Sequence, residues 1–176
     1  MTREPATLTI EGALLRPLRE SDVASIAKHA NDHAVWRNLR DAFPHPYSID
    51  DARKFLAHLR ESEDARVFGI EVDGQVVGAC GLHPQPDVYV RSAELGYWLG
   101  SAFHGRGLMT RVVTAVVAHG FMHLPKLERI FASVFEWNPA SMRVLEKCGF
   151  QREGVLRKSV FKDGQLMDGV LFARLR

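Results

Sequence analysis

Apolar and polar positions along the chain recur at two periods, and the switches between them mark the elements. Residues 7–18 are rich in Thr, Ile and Leu and interrupted at Gly12, which predicts one strand with a kink or bulge. Val23, Ile26, Ala27 and Ala30 then recur at helical spacing behind Ser21, a candidate cap, so a helix is expected over 22–29 and a second short one over 34–40. Ser48 followed by Asp51 resembles a capping box and opens a helix to about residue 60, with Ala52, Phe55, Leu56 and Leu59 on its apolar face. Between these helices Phe43-Pro44-His45-Pro46-Tyr47 reads as a loop.

The second half is clearer. Two β-rich runs, 66–72 and 75–82, flank Asp73-Gly74, the pair that supplies the positive φ angles of a tight hairpin turn. A strand over 92–99, a helix over about 105–122, a strand over 127–135 and a helix over 138–148 follow, the last closed by Gly149 in the C-cap position. A hairpin over roughly 150–161 and 166–174 ends the chain, turning at Lys162-Asp163-Gly164-Gln165. This order predicts a mixed α/β domain, and the absence of repeats or linkers makes residues 1–176 a single unit.

Composition narrows the function classes. A chain of 176 residues buries on the order of 70% of its unfolded surface, enough for a core without metal or disulfide staples. Lys+Arg number 23 against 21 Asp+Glu, and the dispersed +2 net charge offers no basic stripe for nucleic acid. Cys80 and Cys148 lie far apart, with no zinc-ligand spacing, so no metal is expected. Free cysteines fit a reducing compartment. The start, Met1-Thr2-Arg3-Glu4-Pro5, lacks the basic and apolar regions of a secretory signal, and no apolar run approaches eighteen residues. A cytoplasmic protein without membrane contact is expected.

Chemistry concentrates where the strand Glu94-Leu95-Gly96-Tyr97-Trp98-Leu99 runs into His104-Gly105-Arg106-Gly107-Leu108-Met109-Thr110 and a helix. Glycines at such a junction let backbone approach an anion, and the free N–H groups of the helix N-terminus hold phosphate. A dinucleotide fold is one reading, with Glu136 as the acid closing the next strand; the preceding antiparallel strands suit a doubly wound parallel sheet badly.

The other reading rests on a resemblance. Leu15-Arg16-Pro17-Leu18 with Asp22, Gly78, the strand 94–99, Gly105-Arg106-Gly107-Leu108, Asn138-Pro139-Ala140-Ser141, Glu146-Lys147-Cys148-Gly149-Phe150 and Gly154-Val155-Leu156-Arg157 stand in this order. From about Leu15 onward the chain resembles the GNAT superfamily of acyl-CoA-dependent N-acetyltransferases, in particular its RimJ/RimL branch. The resemblance implies a mostly antiparallel seven-stranded sheet flanked by helices, whose parallel fourth and fifth strands, here 92–99 and 127–135, splay to admit the pantetheine arm of acetyl-CoA. Tyr97, Trp98, Leu99, Gly105, Arg106, Gly107, Leu108, Met109, Thr110, Asn138 and Ser141 would line the cosubstrate, with its pyrophosphate on the amides of 105–110. Ala102 stands where the family usually carries Gln or Arg, and Arg106 and Arg111 offer the nearby cations.

Transfer to an amine needs a neutral nucleophile, a donor for the thioester oxygen and a proton for the leaving thiolate. At pH 7 an α-amine is roughly a tenth neutral, a cost of about 1.4 kcal/mol, against about 4.6 for a lysine. Strand alternation puts Glu94 on one face with Gly96 and Trp98, among apolar neighbours, as the candidate base; an ion pair to an arginine such as Arg91 is the plainer role. A main-chain N–H near 96–99 would hold the oxyanion. Leu145 occupies the place of the tyrosine that many family members use as acid, and Ser141 is the replacement the branch suggests, although Asn138 and Ser141 also fit helix capping. Trp36, Arg37, Asn38, Phe43, His45 and Tyr47 would build the acceptor wall or merely pack the early helices. Asp168 sits by the acceptor or pins the hairpin, and Cys148 reads as core. The expected reaction is direct attack of a primary amine, on a peptide N-terminus or small molecule, in a ternary complex, by a homodimer. The alternative is a degenerate domain that binds acyl-CoA or a partner protein without catalysis.

Overall fold

Eight strands form one sheet in the order β1-β2-β3-β4-β5-β6-β8-β7, and among the described residues only the β5–β6 neighbours run parallel. The computed structural model describes residues 7–62 and 66–176, so the amino-terminal stretch 1–5 read above lies outside it. The strands are β1 (Leu8–Ile10), β2 (Ala13–Arg16), β3 (Arg66–Val72), β4 (Gln75–Pro84), β5 (Ser92–Leu99), β6 (Arg129–Phe135), β7 (Gln151–Lys162) and β8 (Gln165–Leu175). The helices are α1 (Val23–Ala30), α2 (His33–Trp36), α3 (Ile49–Glu61), α4 (Leu108–His123) and α5 (Pro139–Lys147). A sheet whose described strands form only one parallel pair is not a doubly wound parallel sheet, which removes the dinucleotide reading.

Strand alternation divides the apolar residues between two cores. Phe68, Ile70, Leu82, Leu95, Leu99, Ile130 and Phe172 pack with Val112, Val113 and Val116 of α4 and Leu145 of α5. Val76, Ala79 and Trp98 point to the other face and pack with Ile26 and Ala30 of α1 and Leu56 of α3. Each of the Val, Leu, Ile and Phe side chains among them contributes about 1.5–3 kcal/mol by leaving water.

Several expectations change in detail. The single kinked strand over 7–18 is a hairpin, β1 against β2, because Gly12 at φ +81° reverses the chain; this gives eight strands rather than seven. Ser21 does not cap α1. Asp22 holds that place, and its carboxylate instead accepts from Arg19 N at 2.7 Å and from both terminal nitrogens of Arg16 at 2.8 Å. The second helix ends at Trp36 rather than at residue 40. The helix expected from 105 begins at Leu108, since Gly105 and Gly107, at φ +75° and +69°, leave the helical region. Residue 127 lies in a turn, and β6 opens at Arg129. Ser48 and Asp51 do form the capping box, and Asp73-Gly74 and Asp163-Gly164, all at positive φ, turn the two long hairpins.

Part of the resemblance is structural in origin. Arg16 and Asp22 form an ion pair in which both side chains are 7% exposed, and Glu71 joins Arg16 from β3. At Gly78 a Cβ would come within 2.4 Å of Trp98 O, so β4 can pass β5 there only with glycine.

Candidate active site

β5 and β6 pair at Ser92, Ala93 and Glu94, opposite Arg129, Ile130 and Phe131, and then part. β5 stays on β4 to Leu99 and β6 stays on β8 to Phe135, so the two strands diverge into a wedge beyond Glu94. Ser92 O accepts from Gln85 N and Gly100 N donates to Val77 O, while Arg91 O accepts from Arg129 N. Main-chain groups of successive strand residues address alternate sides, so even-numbered residues of β5 face β4 and odd-numbered ones face β6. By this alternation Leu95 abuts the last rung, and Tyr97 is the next residue directed towards the β6 side.

At the mouth of the wedge the loop 100–107 delivers the chain to α4. Gly107 takes the N-cap position in the left-handed conformation and no side chain caps the helix, so the amides of Leu108, Met109 and Thr110 remain available. A Cβ on Gly105 would meet nothing within 4 Å. These amides at the positive end of a sixteen-residue helix suit the pyrophosphate of a coenzyme A. The side chains of Leu108 and Met109 are buried in the larger core. Arg111 is spent on structure, donating to Glu11 O at 3.0 Å and Arg106 O at 3.3 Å, while the guanidinium of Arg106 lies 5.9 Å from the Phe103 ring.

Glu94 does not stand among apolar groups. Its carboxylate forms an ion pair with Arg40, on the turn after α2, rather than with Arg91, which pairs with Glu128. The glutamate side chain is 22% exposed and the arginine 74%. His83 lies directly across from Glu94 on β4, with Nε2 only 3.6 Å from where a Cβ on Gly96 would be. Burial pushes the His83 imidazole below its ordinary value, Glu94 opposes that shift, and Arg40 reinforces it. A neutral imidazole next to a carboxylate results.

On the opposite face Tyr97 reaches α5, where its hydroxyl stands 2.7 Å from Ser141 Oγ. Burial raises the phenol well above its ordinary value, although the bond to Ser141 works the other way, so it stays protonated. Asn138 caps α5, its side-chain oxygen accepting from Ser141 N at 3.2 Å. Leu145, in the place of the missing tyrosine, is fully buried in the core. Cys148 is also buried, its thiol 3.4 Å from Thr110 O and raised by desolvation.

The acceptor wall is partly packing. Phe43 and Tyr47 lie tilted against each other at 4.7 Å, Phe43 meets Trp98 at 5.7 Å, and all three belong to or pack against the smaller core; burial pushes the Tyr47 phenol up to about 12. Trp36 stacks on His45 and lies 3.8 Å from the Nζ of Lys162, which pairs with Asp41, so this tryptophan clasps the β7–β8 tip. Asp168 pins that hairpin: its carboxylate accepts from Lys158 N at 2.8 Å, and its own N–H donates to Glu136 at 3.0 Å. It also lines an open groove of about 830 Å³ with Val155, Leu156, Arg157, Lys158 and Ser159. Arg37 stacks on Trp137 at 4.6 Å. Arg40, His83, Trp137 and the Tyr97–Ser141 bond escaped the sequence reading; of these only His83 was accessible, by counting register across the β4–β5 pair.

Among the described residues no group of three His, Cys, Asp or Glu could hold a metal, and no helix is long and apolar enough to cross a membrane. A family model described as an acetyltransferase (GNAT) domain matches residues 13–151. The Probable N-acetyltransferase YjcK of Bacillus subtilis (strain 168) is 37% identical over 134 residues, 73% of this chain and 74% of the relative. Spermidine N(1)-acetyltransferase of Escherichia coli (strain K12) is 27% identical over 158 residues, 89% of this chain and 82% of the relative. The solved structure of Mycobacterium smegmatis RimJ in complex with CoA-disulfide superposes with a TM-score of 0.85 at 27% identity, covering 99% of this chain and 88% of that one. The chain belongs to the GNAT acetyltransferase family and is an N-acetyltransferase.

Proposed function

We propose that this chain transfers an acetyl group from acetyl-CoA to a primary amine, at a peptide or protein N-terminus or on a small molecule, by direct attack in a ternary complex. The observation that carries this reading is the wedge that opens beyond Glu94, with the uncapped amides of α4 at its mouth; strand alternation directs the Tyr97 N–H towards it. Acetyl-CoA, when bound, supplies an acetyl group activated as a thioester. Gly105, Arg106, Gly107 and the amides of Leu108 to Thr110 would hold its phosphates; Tyr97 to Leu99 and Asn138 would flank the pantetheine.

Glu94 and Ser141 act from opposite faces of the sheet. Glu94 takes the proton of the incoming ammonium, directly or through water beside His83. The Tyr97 N–H donates to the oxygen that gains charge as the nitrogen–carbon bond forms. Ser141 bonds the sulfur or relays a water proton to it as the carbon–sulfur bond breaks, the attacking nitrogen gives its second proton to water, and the Tyr97 hydroxyl, 2.7 Å from Ser141 Oγ, holds the serine in place. A thiolate with a conjugate acid near 8.5 leaves without a strong acid, so Leu145 is no obstacle.

Trp36, Phe43, Tyr47 and Asp168 shape the acceptor side from behind, through the packing and pinning contacts already described. Exposed Val155, Leu156, Phe161 and Leu166 on and beside the edge strand β7 support a homodimer, and the two buried free thiols support a cytoplasmic, reducing setting. The experiment is an amine panel with thiol release as readout. Release with any amine supports transfer; saturable acetyl-CoA binding with no release from peptides, amino acids or polyamines leaves the degenerate binding domain instead.

A further inference from the structure

The turn after α2 roofs the wedge with two arginines one turn apart. Arg40 reaches Glu94 on β5, and Arg37 reaches Trp137 in the loop between β6 and α5, next to Asn138. The two differ in how their charge is met. Arg40 has its carboxylate, whereas Arg37, half-buried, has no carboxylate within ion-pair distance among the described residues. A guanidinium stacked at 4.6 Å on an indole spends its face and keeps its N–H edges free, the arrangement that receives a carboxylate through two parallel bonds. Arg157 and Lys158, lining the adjoining groove, also lack acidic partners among the described residues, and the nearby carboxylates of Glu136 and Asp168 are each engaged with a main-chain N–H.

We infer that Arg37 is a specificity-determining residue which selects acceptors carrying a carboxylate close to the amine, such as a peptide N-terminus whose second residue is Asp or Glu. This rests on the acetyl-transfer reading above. The ammonium of such an acceptor takes Glu94 from Arg40, and its carboxylate meets the guanidinium of Arg37, so the resident ion pair is exchanged for two. A polyamine instead brings further positive charge against Arg37 and Arg40, with nothing to neutralise them.

The test compares amidated peptides beginning Ala-Glu, Ala-Asp, Ala-Gln and Ala-Lys, free alanine against alaninamide, and spermidine, all by thiol release. The expected kcat/KM is on the order of ten-fold higher for Ala-Glu or Ala-Asp than for Ala-Gln, expressed in KM. That ratio falls towards one in Arg37→Gln and partly returns in Arg37→Lys, with thermal midpoint and acetyl-CoA affinity confirming an intact fold. A preference for free alanine over alaninamide that Arg37→Gln removes also supports the inference and assigns the carboxylate to the α-carbon. Equal rates across the peptides, a preference that survives Arg37→Gln, or spermidine as the best acceptor overturns it while leaving acetyl transfer standing. Absence of thiol release with every acceptor overturns the transfer reading itself, and this inference with it.

Discussion

The hydroxyl of Tyr97, on β5, lies 2.7 Å from Oγ of Ser141, on the first turn of α5, and the bond spans the side of the wedge opposite Glu94. A buried neutral pair of this kind contributes about 1 kcal/mol. Tyr97→Phe should therefore lower kcat about five-fold, with acetyl-CoA affinity retained because the Tyr97 N–H is unchanged. Ser141→Ala should cost more than Tyr97→Phe, and the double variant no more than Ser141→Ala alone. Steady-state kinetics on the three variants check this, and additive losses would separate the two hydroxyls.

Glu94→Gln keeps the shape of the site and removes the proton acceptor. The expected loss in kcat is on the order of 10²–10⁴-fold, with acetyl-CoA binding by calorimetry unaltered. A wild-type rate in this variant would take the base away from Glu94.

The α4 amides give a test of the cosubstrate cradle that leaves the reacting groups alone. Gly107 lies at φ +69°, where a Cβ would also press to 3.3 Å from the Arg111 guanidinium. Gly107→Ala should lower stability by about 1–2 kcal/mol and weaken acetyl-CoA binding, whereas KM for the acceptor stays put. Thermal melts with and without CoA read both effects, since a ligand raises the midpoint only as far as it binds.

Arg16 and Asp22 are a structural pair, and breaking it leaves a buried guanidinium with Glu71 as its one carboxylate partner among the described residues, beside the Pro17 carbonyl. Burial alone would raise the Asp22 carboxyl, but the Arg16 guanidinium and the Arg19 N–H hold it below its ordinary value. Asp22→Asn should destabilise the fold by about 3 kcal/mol by denaturant titration.

Two histidines set the acid side of the stability profile. Burial lowers His119, helped by His123, which stacks on it at 4.1 Å, and by Arg66; burial likewise lowers His83. The unfolded chain takes up their protons first, near pH 6.5, so stability is complete above that pH and declines as pH falls through it towards the lower native values. His119→Leu should flatten the melting-temperature slope just below about pH 6.5.

Local chemistry made most of the elements legible. Asp-Gly pairs can only turn, Ser48 with Asp51 caps, and β5 reads correctly to the residue because alternation and its flanking breaks are both strong. The first strand misled because a single glycine is compatible with a kink or a reversal, and only the pairing of Leu8 with Leu15 decides between them. The glycine loop was visible because the backbone chemistry it serves is fixed by spacing along one segment, whereas Ser141 was singled out only by the resemblance.

What the sequence by itself determined, then, is whatever depends on neighbours along the chain: period, turns, caps and the glycines at the start of α4. The environment of Glu94 was decided by tertiary structure alone, because Arg40 is 54 residues away in sequence and His83 faces it only through the β4–β5 register. So was the wedge, which exists because β5 stays on β4 and β6 stays on β8 while their shared ladder stops at three rungs. Charge, burial and an interrupted ladder are properties of what folding brings together, and no local pattern encodes them.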